Sequence, residues 1–143
     1  MVFTGRYGSL TKGLDGNYLL VYDKNNADGQ NIWLQILDTK LNMLWESKVL
    51  DNKPRSVPST FKIKTIPNGN YIIAGGKESK PYITAFDQKG NRLWEFWGES
   101  MNTSIDFDLM LSGDNFFIGS TVITKSSQNK FTQKVNLIKF VPK

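Results

Sequence analysis

Pro67-Asn68-Gly69-Asn70-Tyr71-Ile72-Ile73-Ala74-Gly75 reads as a tight turn opening into a short, wholly apolar strand. The Asn-Gly step tolerates positive φ and so suits the turn between two antiparallel arms. Upstream, Phe61-Lys62-Ile63-Lys64-Thr65-Ile66 alternates apolar and polar residues and supplies the first arm. The second arm is apolar on both faces, as a strand packed between neighbouring sheets must be, and Gly75 and Gly76 read as its end. Downstream, Tyr82-Ile83-Thr84-Ala85-Phe86 meets Asp87-Gln88-Lys89-Gly90-Asn91 and returns as Arg92-Leu93-Trp94-Glu95-Phe96-Trp97. Asp87 can accept hydrogen bonds from the amides that follow it, and Gly90 can supply the left-handed residue of the turn. Residues 59–98 thus spell a four-stranded antiparallel unit.

The same unit is written elsewhere. Leu14-Asp15-Gly16-Asn17-Tyr18 and Leu111-Ser112-Gly113-Asp114-Asn115-Phe116 repeat the turn and its aromatic, so that Tyr18, Tyr71 and Phe116 follow one another at intervals of 53 and 45 residues. Asp38 and Asp87, and Trp45 and Trp94, stand 49 residues apart. A period of this length, with several short strands per repeat and no sustained helical spacing of apolar residues, points to a radial array of four-stranded sheets, an all-β propeller. At 143 residues the chain makes one domain. Its blades fall at about 9–50, 59–98 and 104–141, with a further strand at 2–8. In the first blade the turn Asp38-Thr39-Lys40-Leu41-Asn42 has Leu41 where Gly90 stands, and the left-handed role is expected to pass to Asn42, because a bulky residue there is strained. Trp45 and Trp94 read as packing residues between twisted sheets.

The third blade contains only three strands, ending near Phe140, with a loop over residues 122–134. The N-terminal segment through Tyr7-Gly8 aligns with Trp97-Gly98 and is expected to be the outer strand that completes this last blade. Three blades leave too wide an angle to close, since closed propellers have about four to eight. Two copies exchanging the N-terminal strand would give a six-bladed dimer.

Composition narrows the chemistry. There is no Cys and no His, which excludes thiol catalysis, thiolate metal sites and a Ser-His pair. The net charge of +5 comes from fifteen scattered Lys and three Arg, not from the Arg-rich cluster that marks a nucleic-acid interface. No apolar run is long enough to span a bilayer as a helix, and the first residues carry no basic and apolar leader, so neither a membrane span nor an export signal is expected in this chain.

The segments Pro67–Gly75 and Phe86-Asp87-Gln88-Lys89-Gly90-Asn91-Arg92-Leu93-Trp94-Glu95 resemble the repeats of bacterial and archaeal propellers of the quinoprotein-like type and of the arylsulfotransferase propellers. The resemblance implies the fold, an extracytoplasmic setting, and a choice among enzymes, lectins and docking platforms. It does not bring catalytic residues with it. Arylsulfotransferases use a histidine, absent here, and no position matches the calcium and catalytic aspartate constellation of quinoprotein dehydrogenases. No cofactor and no metal site are expected.

The expected function is therefore that of a non-catalytic binding or scaffolding module for a protein or glycan. The alternative is a fragment or subunit of a larger propeller hydrolase or oxidoreductase. Candidate contact residues lie in the inter-blade connections, Tyr7, Arg55, Trp97 and Glu99, and on an inner strand, where Asp106 and Asp108 share one face at i and i+2. The bland readings are a solvated loop cation for Arg55 and a solvated strand face for the two aspartates. Asp23-Lys24-Asn25-Asn26-Ala27-Asp28-Gly29 has the wrong register for a calcium loop and reads as a polar hairpin.

Overall fold

The computed structural model describes residues 6–26, 29–52, 61–77, 80–99, 104–112, 115–125 and 131–140. Eleven strands and no helix are present among them. β1 (Arg6–Lys12), β2 (Tyr18–Asn26), β3 (Gly29–Leu37) and β4 (Met43–Asn52) form the first sheet. β5 (Lys62–Thr65), β6 (Tyr71–Lys77), β7 (Lys80–Phe86) and β8 (Arg92–Trp97) form the second. β9 (Ser104–Ser112), β10 (Asn115–Lys125) and β11 (Phe131–Phe140) form a three-stranded third sheet. All pairings are antiparallel and each strand neighbours the next in sequence.

The repeat is visible in the register. Tyr18 lies opposite Lys12, Tyr71 opposite Thr65 and Phe116 opposite Leu111. Trp45 lies opposite Ile36 as Trp94 does opposite Ala85, which places the two tryptophans at matching positions of successive sheets. The turns before them match atom for atom. Asp87 Oδ1 accepts from the amides of Lys89 and Asn91, both at 2.8 Å, and its Oδ2 from Asn91 Nδ2 at 2.8 Å. Asp38 does the same with Lys40, Asn42 and Asn42 Nδ2 at 2.8, 2.8 and 2.9 Å. The Asn side-chain bond, followed by the backbone amides, holds both carboxyls below their ordinary value.

Each sheet turns one face, here called the front, onto the back of the sheet that follows. Leu19, Val21, Ile32, Leu34 and Ile36 on the front of the first sheet bury against Ile63, Tyr71, Ile73, Tyr82 and Phe86 on the back of the second. Ile72, Ala74, Ile83 and Ala85, the alternate residues of the second sheet, bury against Leu109 and Ile118 on the back of the third. The second sheet is therefore covered on both sides, which is why β6 and β7 are apolar on both faces, apart from Thr84 and the lysines at their ends, while the strands of an ordinary half-exposed sheet alternate. Inner strands β1 and β5 run in the same direction. Ile63 N donates to Ser9 Oγ at 3.4 Å, and Thr65 Oγ1 donates to the Lys12 carbonyl at 2.9 Å.

Four local expectations change. Arg6 and Tyr7 belong to β1, with Arg6 opposite Asp23, so this part of the expected 2–8 strand is paired in the first sheet and does not complete the last one; residues 1–5 lie outside the described residues. Gly8 is no break. It sits at a bulge between Arg6 and Ser9, where an added Cβ would lie 3.3 Å from the Val21 carbonyl oxygen, so the strand runs on through it. Gly75 likewise lies within β6, where the Phe61 ring rests on it, 2.5 Å from where a Cβ would be. The expected loop at 122–134 is mostly strand, since β10 reaches Lys125 and β11 starts at Phe131.

The fourth change is at Leu41, which itself takes the left-handed conformation at φ 66°. Asp38 fixes the turn through the amides of Lys40 and Asn42, and Leu41 N donates to the Asp38 carbonyl at 2.9 Å, as Gly90 N does to Asp87 at 3.1 Å. The bonds of this turn outweigh the steric cost of one side chain at positive φ, about 1–2 kcal/mol. The Leu41 side chain is half exposed and so offsets little of that strain by burial. Leu41→Gly is expected to raise stability by about 0.5–1 kcal/mol, despite the entropy glycine adds to the unfolded chain. A lowered denaturation midpoint would show that the leucine side chain contributes more by packing than it costs in strain.

Candidate functional site

Propagating the strand directions places the connections between sheets, β4 to β5 and β8 to β9, at one end of the stack, together with the starts of β1 and β9. Tyr7 near the start of β1, Trp97 and Glu99 at the end of β8, and Asp106 near the start of β9 all fall toward this end. The side chains of Tyr7 and Asp106 lie outside the described residues, as does the whole of Arg55. Trp97 is 37% exposed, with its ring 4.4 Å from that of Tyr82 at 49°. Burial, followed by the Glu95 charge and hydrogen bond acting against those of Thr84 and Arg92, pushes the Tyr82 hydroxyl up to about 12. Glu99 is exposed beyond Gly98, whose amide donates to the Pro81 carbonyl at 2.8 Å.

Asp106 and Asp108 lie opposite Thr121 and Gly119, which puts both on the front of the third sheet, as their spacing implies. That face is turned away from the other two sheets. Asp108 is exposed, and its Oδ1 accepts from the Leu109 amide at 2.9 Å.

A polar cluster that the sequence did not single out occupies the back of the first sheet. Tyr22 lies opposite Trp33, and Gln35 opposite Glu46, on adjacent strands. Tyr22 Oη donates to Glu46 Oε1 at 2.6 Å, while Gln35 Nε2 donates to the same oxygen at 2.7 Å and to Tyr22 Oη at 2.9 Å. Lys24 Nζ stands 3.6 Å from Glu46 Oε2 and 5.2 Å from the centre of the Trp33 ring. Burial raises the Glu46 carboxyl, but the Tyr22 and Gln35 bonds and the Lys24 charge outweigh it and hold the group below its ordinary value. Burial first, and then Glu46, raise the Tyr22 hydroxyl far above its own. Two buried atoms here, Trp33 Nε1 and Gln35 Oε1, have no hydrogen-bond partner. The positions of the second sheet that correspond to Tyr22, Trp33, Gln35 and Glu46 are Gly75, Tyr82, Thr84 and Glu95, where only the Glu is retained, so repeat matching alone does not signal the cluster.

Trp45 and Trp94 have matched positions and different surroundings. Trp45, on the front of the first sheet, lies over Gly90 of the second, with ring atoms 2.7 Å from where a Cβ would be. Trp94 is 39% exposed, and the residues of the third sheet equivalent to the Gly90 turn follow Phe140 and lie outside the described residues. Arg92 links the first two sheets by donating to the Val49 carbonyl, and pairs with Glu95 at 2.9 Å.

Of the Asp23–Gly29 segment, Asp23 is buried in β2 opposite Ile32 and Asn26 lies opposite Gly29 of β3, while residues 27 and 28 lie outside the described residues. No group of three or more acidic side chains stands together among the described residues. Among them, too, no helix is long and apolar enough to cross a membrane.

No family model matches the chain, and no curated protein does. Its fold is similar to that of a protein of unknown function from Bacteroides caccae, known from a crystal structure at 1.35 Å. The TM-score is 0.52 at 12% identity, over 93% of this chain and 48% of that one. The likeness is one of fold, and this chain spans about half the length of that neighbour.

Proposed function

We propose that the three sheets are blades of a β-propeller and that the chain is a non-catalytic binding or scaffolding module, active as a closed ring. The observation that carries this reading is the front-to-back stacking, repeated at both internal junctions. Two copies would close six blades, within the range in which propeller sheets pack. The partner-binding end is the one with the inter-blade connections, where Trp97 offers an exposed ring and Glu99 a carboxylate to a protein or glycan.

A glycan array and a pull-down from a cell extract test the reading. A saturable ligand that the native protein binds, and that Trp97→Ala weakens roughly 10-fold or more, as loss of a central aromatic contact does, is the expected result. No saturable ligand in either experiment counts against it. A second reading is that the chain is part of a longer propeller enzyme, and the fact favouring it is the neighbour of twice the length. An open reading frame continuing into further repeats in the parent gene would establish that alternative.

A further inference from the structure

Both ends of the stack expose surface that the internal junctions bury. On the front of the third sheet Met110, Val135 and Leu137 are 57%, 74% and 68% exposed, and a Cβ added to Gly119 would meet nothing within 4 Å. On the back of the first sheet Leu10, on β1, is 60% exposed, while Tyr22 and Gln35 farther across that face are buried. Large apolar side chains gathered on one face, as on the third sheet, mark a contact surface. The two outer faces are of opposite kind, a front and a back, which is the combination found at each internal junction.

The register gives the match at single-residue level. Ser9 pairs with Val21 and Asp108 with Gly119, while Leu10 pairs with Leu20 and Ile63 with Ile73, so Asp108 stands in the third sheet where Ser9 stands in the first, and Leu10 stands where Ile63 does. At the first junction the Ile63 amide donates to Ser9 Oγ. The equivalent contact at the open ends joins the Leu10 amide of one copy to the Asp108 carboxylate of another, a donor to a charged acceptor. The second cross-junction bond transfers too. Thr65 Oγ1 donates to the Lys12 carbonyl, and Lys12 and Leu111 occupy the places of those two residues at the open ends, so the Lys12 ammonium of one copy meets the Leu111 carbonyl of the other.

We propose that the front of the third sheet docks on the back of the first sheet of a second copy of this chain, with Asp108 of one copy against β1 of the other, twice in a two-fold ring. The contact is between faces and needs no exchange of the N-terminal strand. It rests on the closed-ring reading and specifies which surfaces close the ring, and it assigns Asp108 to assembly and not to a ligand in a central channel.

Light scattering on the native chain and on two surface variants tests it. Leu137→Asp alters only the front and Leu10→Asp only the back; both side chains are exposed, and a retained far-UV spectrum with cooperative melting certifies folding. Should either variant fail that check, Val135→Lys and Asp108→Asn serve on the front and Lys12→Glu on the back. The native chain is expected at twice its chain mass and each variant at half that value, while an equimolar mixture of the two recovers the dimer through its one intact junction. In addition, since the chain has no cysteine, Leu10→Cys mixed with Asp108→Cys should give a disulfide-linked dimer on oxidation. A native dimer that withstands both variants, or yields to only one of them, overturns the junction while leaving a ring assembly standing. A native chain that is a well-folded monomer overturns the two-copy ring and the junction with it.

Discussion

Gly90→Val is expected to lower the unfolding free energy by about 2–5 kcal/mol. Gly90 has φ +83°, where a β-branched residue costs about 1–2 kcal/mol, and its new Cβ would stand 2.7 Å from the Trp45 indole of the neighbouring sheet. The indole is held between two sheets and can only withdraw by opening the junction, an overpacking cost of about 1–3 kcal/mol. Gly69→Val separates the two contributions. Its φ is nearly the same at +85°, but the new Cβ meets only the end of the flexible Gln88 side chain, so the loss should be confined to strain, roughly 1 kcal/mol. Chemical denaturation of both variants, and of Gly90→Val in a Trp45→Leu background, provides the measurement. Equal losses at the two glycines would show that the indole does not bear on the turn.

Tyr22→Phe should cost about 1.5–3 kcal/mol at neutral pH, the range for a hydrogen bond to a charged group. The variant keeps the ring and removes the donor to Glu46 Oε1 and the acceptor for Gln35. Because Glu46 is held below its ordinary 4.5 in the folded chain, the stabilisation it provides is complete above that value and is lost as the pH falls through the lowered one. Tyr22 is raised, so its hydroxyl stays protonated through its ordinary 10, and its contribution fails only as the pH rises through the raised folded value. The cost of the substitution is thus expected to be greatest on the plateau between these limits and to shrink in acid. Unfolding free energies measured at pH 7 and pH 3 check this. An identical cost at both would mean that the carboxylate charge plays no part in the bond.

Turn chemistry was the most readable layer of this protein. Asp87 and Asp38 organise their turns through bonds to residues two and four positions on, and a contact that local is written in the sequence itself. The same reasoning failed at Leu41, since it weighed the strain of one side chain without the bonds that Asp38 makes on either side of it. It failed at Gly75 for a related reason. A glycine inside a strand looks like a terminator until the group approaching it is known, and here that group is the ring of Phe61, which belongs to the neighbouring arm. Of the candidate contact residues, the shared face of Asp106 and Asp108 followed from the two-residue period of a strand, but which way that face looks did not.

By itself the sequence determined the all-β class, the antiparallel order, and the equivalence of Trp45 and Trp94, because period and turn type act over a few residues, whereas the last sheet, expected to reach four strands with the N-terminal segment, has three among the described residues. Tertiary structure alone decided that Arg6 and Tyr7 join β1 in the first sheet, that Trp45 lies over Gly90, and that Tyr22, Gln35 and Glu46 meet on one face. Each of these depends on how neighbouring strands and sheets are set against one another. A one-residue change of register carries every side chain of a strand to the opposite face, and a pattern of residue types does not specify register between segments distant in the chain.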